Sequence, residues 1–154
     1  MRRLCWVLVL VFASATLALV YLFVIRGATV PASDGRLAIL MTPGERDMVL
    51  GEMRAFLIAV QGISQAVVDQ DRDAAVRAAR AVGAAAQQAV PPGLVGKLPL
   101  DFKRLGFDTH RRFDQLALDA EQFGDTSQVL PELAALLQNC TACHAAYRID
   151  LEQP

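Results

Sequence analysis

Metal-binding side chains are scarce in this chain. Its 154 residues include only two histidines, His110 and His144, and three cysteines, Cys5, Cys140 and Cys143. Cys5 lies in an apolar N-terminal run, so a structural zinc site of four nitrogen or sulfur ligands would have to draw on Cys140, Cys143, His144 and the distant His110. Runs that alternate with period two and are rich in β-branched residues are missing, as are internal repeats, which predicts an all-α chain. No nucleophile-base pair, metal-plus-water constellation or phosphate-binding loop is visible, and we expect no enzymatic activity. Charge is sparse as well: 20% of residues are charged against 54% hydrophobic, with a formal net charge of -1. That balance excludes a disordered chain and a nucleic-acid-binding arm, and the length suits one compact domain.

The charges are unevenly placed. None occurs from Leu4 to Ile25, and all 16 acidic residues lie at Asp34 or later. Of the 15 basic residues, Arg2, Arg3 and Arg26 precede position 27; the other 12 stand against 16 acidic ones, so residues 27–154 carry a net charge of -4. As a helix, the 22-residue run Leu4–Ile25 spans about 33 Å, enough to cross a bilayer. The positive-inside rule then puts the N-terminus in the cytoplasm and the chain beyond the run in the periplasm, as a single-pass protein of the inner membrane. Trp6 and Tyr21 suit interfacial positions. A cleaved signal peptide is the competing reading. Cleavage after Val30-Pro31-Ala32 requires an overlong apolar core, and cleavage after Ala13-Ser14-Ala15 leaves Leu, Val, Tyr and Phe at the new N-terminus. Either way the domain is exported. Cys5 lacks the small residues that precede a lipidated cysteine and reads as apolar filler.

Residues 1–26 are thus the anchor and 27–41, with Gly, Pro, Ser, Asp and little periodicity, a linker. Residues 42–154 read as an antiparallel four-helix bundle. Thr42-Pro43-Gly44-Glu45 has the features of a capping box. It opens helix A, whose Val49, Leu50, Met53, Phe56, Leu57, Val60, Ile63 and Val67 recur at steps of three and four. Alanine-rich Asp73–Val90 predicts helix B, with Val76, Ala79, Val82 or Gly83 and Ala86 on one face, ended by Pro91-Pro92-Gly93. Gly93–Gly106 reads as an irregular connection. Asp108 is the expected cap of helix C, with Phe113, Leu116, Ala117, Ala120 and Phe123 inward and Gly124 as its stop. Thr126 or Ser127 is expected to cap helix D, which carries Leu133, Leu136, Cys140, Cys143, Tyr147 and Leu151 down one face.

Cys140-Thr141-Ala142-Cys143-His144 is the strongest chemical motif. C-x-x-C-H is the attachment signature of c-type haem, in which two thiols add to the vinyl groups and the adjacent imidazole binds the iron. Residues three apart share a helix face, so both sulfurs can meet one porphyrin edge. A disulfide, a thioredoxin-type redox pair or another metal are the competing readings; the redox pair lacks its βαβ setting, and a disulfide leaves His144 without a role. Export supplies the compartment in which such haem motifs are processed.

With Tyr147-Arg148 following the motif near the C-terminus of four helices, residues 42–150 resemble the class II c-type cytochromes, the cytochrome c′ family. The resemblance implies one covalently bound haem c inside the bundle, iron held by His144, and a second axial position facing helix A that is either empty or filled by methionine. Arg148 would lie near a haem propionate; the alternative is a solvated charge at a helix end. Met53 falls on the apolar stripe and Met48, about 140° away, on another face, so Met53 is the candidate sixth ligand, or else a flexible core methionine. The family's usual ligand position falls on Arg46, which favours a five-coordinate iron with Arg46 and apolar side chains nearby if Met53 does not bind. His110, beside Arg111 and Arg112, is a weaker ligand candidate and otherwise a capped or surface residue. The function so implied is a membrane-anchored single-electron carrier serving redox partner proteins. The alternatives are a high-spin haem protein that binds or senses nitric oxide or carbon monoxide, and a structural subunit of a membrane complex or a homodimer; nucleic acid is not an expected partner.

Overall fold

The structure, a computed structural model, describes residues 2–123 and 128–152. It is mostly helical with one small sheet. The apolar run forms helix α1 (Arg2–Val20), continued by a π-helical turn over Tyr21–Arg26. Together they are long and apolar enough to cross a membrane, and none of their side chains is buried. Strands β1 (Thr29–Pro31) and β2 (Leu37–Met41) follow, then α2 (Pro43–Val68), α3 (Arg72–Arg80), a 3-10 segment over Ala84–Ala89, α4 (Pro92–Lys97), α5 (Leu100–Phe123), α6 (Val129–Ala146) and β3 (Tyr147–Leu151).

Helix α2 begins where its cap chemistry dictates. Thr42 accepts from the Glu45 amide, and the Glu45 carboxylate accepts from the Thr42 amide at 2.8 Å, with Pro43 at the first helical position. Asp71 accepts from the Ala74 amide and starts α3. α2 packs on α3, α3 on α5, α5 on α6, and α6 returns to α2. Their apolar faces enclose a core of Ala59, Ile63, Val76, Ala79, Phe113, Leu116, Leu133 and Leu136 among others. A second core of Ile39, Met41, Val49 and Leu94 lies under the sheet.

Several sequence expectations change. The linker contains β1 and β2, antiparallel with Thr29 opposite Ile39. β2 also pairs in parallel with β3, Leu37 opposite Tyr147 through Met41 opposite Leu151. Leu37–Met41 is a continuous apolar run, the pattern of a strand covered on both faces, so a search for period two passes over it. Its partner strand lies over a hundred residues away in sequence. Helix D accordingly ends at Ala146, and Tyr147 and Leu151 are strand residues.

Helix B stops at Arg80 because Val82 and Gly83 carbonyls turn to His110 and the Ala84 amide donates to Asp114 at 2.8 Å. The supposed irregular connection is α4 plus the first two turns of α5, so Asp108 is interior to a helix and caps nothing. On α2 the buried side chains are Val49, Ala59, Ile63 and Ala66, whereas Leu57 is 69% exposed. The expected helix stop at Gly124 and caps at Thr126 and Ser127 lie outside the described residues.

Candidate functional site

Cys140, Cys143 and His144 occupy the last two turns of α6, where the helix leaves the main core and runs toward β3. Both thiols are unpaired and half-buried, while His144 is exposed. All three line a cavity of about 460 Å³ between α2, α4, α5 and α6, a size typical of ligand and cofactor pockets. Its walls are largely apolar, with Val49, Met53 and Phe56 from α2 and Leu94 from α4.

A smaller cavity of about 200 Å³ adjoins it, sharing Met53, Phe102, Cys143 and His144. Arg36, Arg46 and Arg148 line this second space. The structure therefore brings together six of the residues singled out from the sequence. Cys140, Cys143, His144 and Met53 meet at the larger cavity, and Arg46 and Arg148 meet the last three of these at the smaller.

The arginines are held differently. Arg148 donates to Asp150 at 2.9 Å and to Asp34 at 3.2 Å, so it is a member of an ion-pair network and not a free helix-end charge. Those carboxylates keep its guanidinium protonated, and Arg36 holds the Asp34 carboxyl down to about 2. Arg46 has only a 3.9 Å approach to Asp47. Arg36 was not distinguished in the sequence. It donates to the His144 and Tyr147 carbonyls, both at 3.4 Å, and so closes the C-terminal end of α6 beside the motif.

Met48 and Met53 both line the larger cavity, against the expectation that only one could face it. The cavity wraps around a wide arc of α2, and Met48 reaches it from the partly exposed rim. His110 also departs from expectation. It is 3% exposed, with Nδ1 at 2.8 Å from the Val82 carbonyl and Nε2 at 3.1 Å from Glu52. With both ring nitrogens engaged it is a buried structural residue of the cavity wall, stacked at a tilt on Phe56, and is unsuited to bind iron. A signal for this pair existed: Glu52 sits between Val49 and Phe56 at steps of three and four, and His110 three residues before Phe113, each a polar residue on an apolar face.

Asn139, next to Cys140, donates to Asp108 at 2.9 Å, and Arg111 and Arg112 donate to the same carboxylate. These bonds hold Asp108 well below the usual carboxylate range and tie α6 to α5 one residue before the motif. Burial pushes the Cys143 thiol up to about 11, aided by Cys140, and raises Cys140 as well. Reactive redox cysteines have lowered values, so this environment disfavours a thioredoxin-type pair. Among the described residues no group of three or more His, Cys, Asp and Glu side chains is arranged to hold a metal ion by itself. No protein-family model matches the chain, and no curated protein or solved structure matches it.

Proposed function

We propose that this chain is a membrane-tethered, periplasm-facing c-type cytochrome of class II that carries single electrons between redox partner proteins. One observation carries the reading: the two free thiols and the imidazole of C-x-x-C-H line a single apolar cavity of cofactor size, with Met53 on its wall. The haem, when bound, supplies reversible one-electron exchange at its iron. The packing of α2, α3, α5 and α6 around one core supports an antiparallel four-helix bundle as its container, with the three-stranded sheet added at one end.

In this reading the chain's residues divide the work. Cys140 and Cys143 would hold the cofactor through their thiols, and His144 would supply a nitrogen to its iron. Val49, Phe56 and Leu94 exclude water from it. Met53, on the wall of the same cavity, would offer its thioether to the iron, while Arg46 and Arg148 would offer cations to carboxylates at the smaller cavity.

The test is expression of the full chain in a host that exports and matures c-type cytochromes. We expect haem that stays with the denatured polypeptide and is lost in Cys140→Ala/Cys143→Ala. A protein without covalent haem after such maturation sinks the proposal. The reduced optical spectrum with and without carbon monoxide then reads the sixth position. A low-spin spectrum unreactive to carbon monoxide, converted to high spin by Met53→Ala, is the expected result. A high-spin spectrum with rapid carbon monoxide uptake in the unaltered protein moves the function to gas binding.

A further inference from the structure

The apolar N-terminal segment is not joined to the remainder by a loose tether. Its π-helical end packs on α4 and α5. Lys103 Nζ donates to the carbonyl oxygens of Phe23 at 3.1 Å and Val24 at 3.3 Å, filling acceptors that a helix C-terminus leaves open. Gly27 follows with φ 63, and a Cβ there would overlap the Lys97 carbonyl oxygen. The Ala28 amide donates to that same carbonyl at 2.7 Å. The chain therefore leaves the apolar segment pressed directly against the junction of α4 and α5.

This junction fixes a depth. The run Leu4–Ile25 spans about 33 Å against a hydrocarbon thickness of about 30 Å, which puts the Phe23 and Val24 carbonyls at the outer hydrocarbon boundary. The headgroup layer extends roughly 5–8 Å beyond it. Lys103 reaches that boundary with its side chain, Arg104 is its neighbour, and Phe107 lies one turn, about 6 Å of rise, along α5, which brings it into the headgroup layer when α5 lies along the surface. Phe107 is 42% exposed, and the Arg104 side chain is 70% exposed with only a long 3.4 Å contact to Asp101. A cation and a large aromatic exposed within a turn of each other are the side chains that helices place at a lipid interface.

We propose that the first two turns of α5 rest on the bilayer, with Phe107 in the headgroup layer and Arg104 against anionic lipid phosphates. Phe107 also lines the large cavity, so one wall of that cavity abuts lipid instead of bulk water. The proposal rests on the N-terminal segment being retained as an anchor and is independent of the cofactor.

Full-length protein carrying Trp6→Phe and Phe107→Trp, which leaves one indole, is reconstituted into phosphatidylcholine vesicles with and without phosphatidylglycerol. Emission lifetimes are compared between ordinary lipids and lipids brominated near the top of the acyl chain; the difference of their reciprocals is the rate that bromine adds, from which a quencher inside the protein subtracts out. We expect bromine to add a quenching rate at position 107, because an interfacial aromatic sits within reach of the upper acyl chain. Phosphatidylglycerol deepens this quenching, and Arg104→Glu removes the increment. The control is Val68→Trp in the same background, 77% exposed at the far end of α2, roughly 35 Å along that helix from Glu45. It should stay unquenched. An indole at position 107 quenched no more than the one at position 68, in protein that floats with the vesicles, overturns the surface and leaves the anchor standing. Protein that does not float overturns both.

Discussion

His110 is the residue whose protonation the surroundings most clearly demand. Carbonyl oxygens face Nδ1 and a carboxylate faces Nε2, and only the doubly protonated ring can donate to both. Burial by itself lowers its pKa, but the hydrogen bonds to Glu52 and to the Val82 and Gly83 carbonyls outweigh that and the net direction is upward. A group raised above its unfolded value, near 6.5, contributes stability that is whole below that pH and is lost as pH rises through the folded value. The urea midpoint should therefore fall as pH rises above the unfolded value, and the fall should be smaller in His110→Gln. An equal fall in both proteins would show that His110 does not carry it. Neighbouring Glu52 makes the pair readable from sequence in hindsight, since both residues interrupt apolar stripes. What sequence alone does not supply is the distance between the two stripes.

At the scale of the element, α3 shows a local preference overruled. Alanine is the best helix former, and Asp73–Val90 reads as one helix on that ground. Tertiary bonds end it early: Val82 and Gly83 carbonyls serve His110, and the Ala84 amide serves Asp114, a donor on one chain segment meeting acceptors on another. A Cβ at Gly83 would fall inside the Asp114 carboxylate, so Gly83→Ala should cost about 1–3 kcal/mol in chemical denaturation. Gly93→Ala, within α4 and with open space around it, should be neutral or stabilising by up to about 1 kcal/mol. Equal effects from the two would remove the steric account. α2 behaves the opposite way. Its start, written in Thr42, Pro43 and Glu45, depends on neighbours within four residues and forms as expected. The sheet was illegible for a related reason: β2 pairs with the three-residue β1 on one side and with distant β3 on the other, and a strand covered in this way reads as an apolar run without a period of two.

Across the whole molecule, Lys97 joins three distant parts of the chain. It donates to Glu45 at 2.7 Å in the first turn of α2 and to Glu152 at 2.6 Å just after β3, from the end of α4. Its hydrogen bond, with that of the Thr42 amide, lowers Glu45 below its ordinary value. A depressed carboxylate contributes stability above its unfolded value, near 4.5, and loses it as pH falls through the folded value. Lys97→Met should lower Tm at neutral pH, and the difference from the unaltered protein should shrink in acid. A difference that persists with both carboxylates protonated would mean that packing, not charge, sets the effect. The same corner receives the apolar N-terminal segment through Gly27 and Ala28, so the tie also braces the domain where that segment joins it.

The candidate site divides along the same line. Sequence by itself determined the apolar segment, the helical class, the start of α2, and the motif Cys140-Thr141-Ala142-Cys143-His144. Each depends on residues within a turn or two of one another or on the composition of a continuous stretch. Tertiary structure decided that Met53 shares a wall with that motif, and that Arg46 and Arg148 meet beside it. It also decided that His110 is buried against Glu52 and that Lys103 grips the end of the apolar N-terminal segment. These are relations between segments far apart in the chain, and nothing in local periodicity encodes the distance between two helix faces; packing sets it, once every apolar stripe has found its partner.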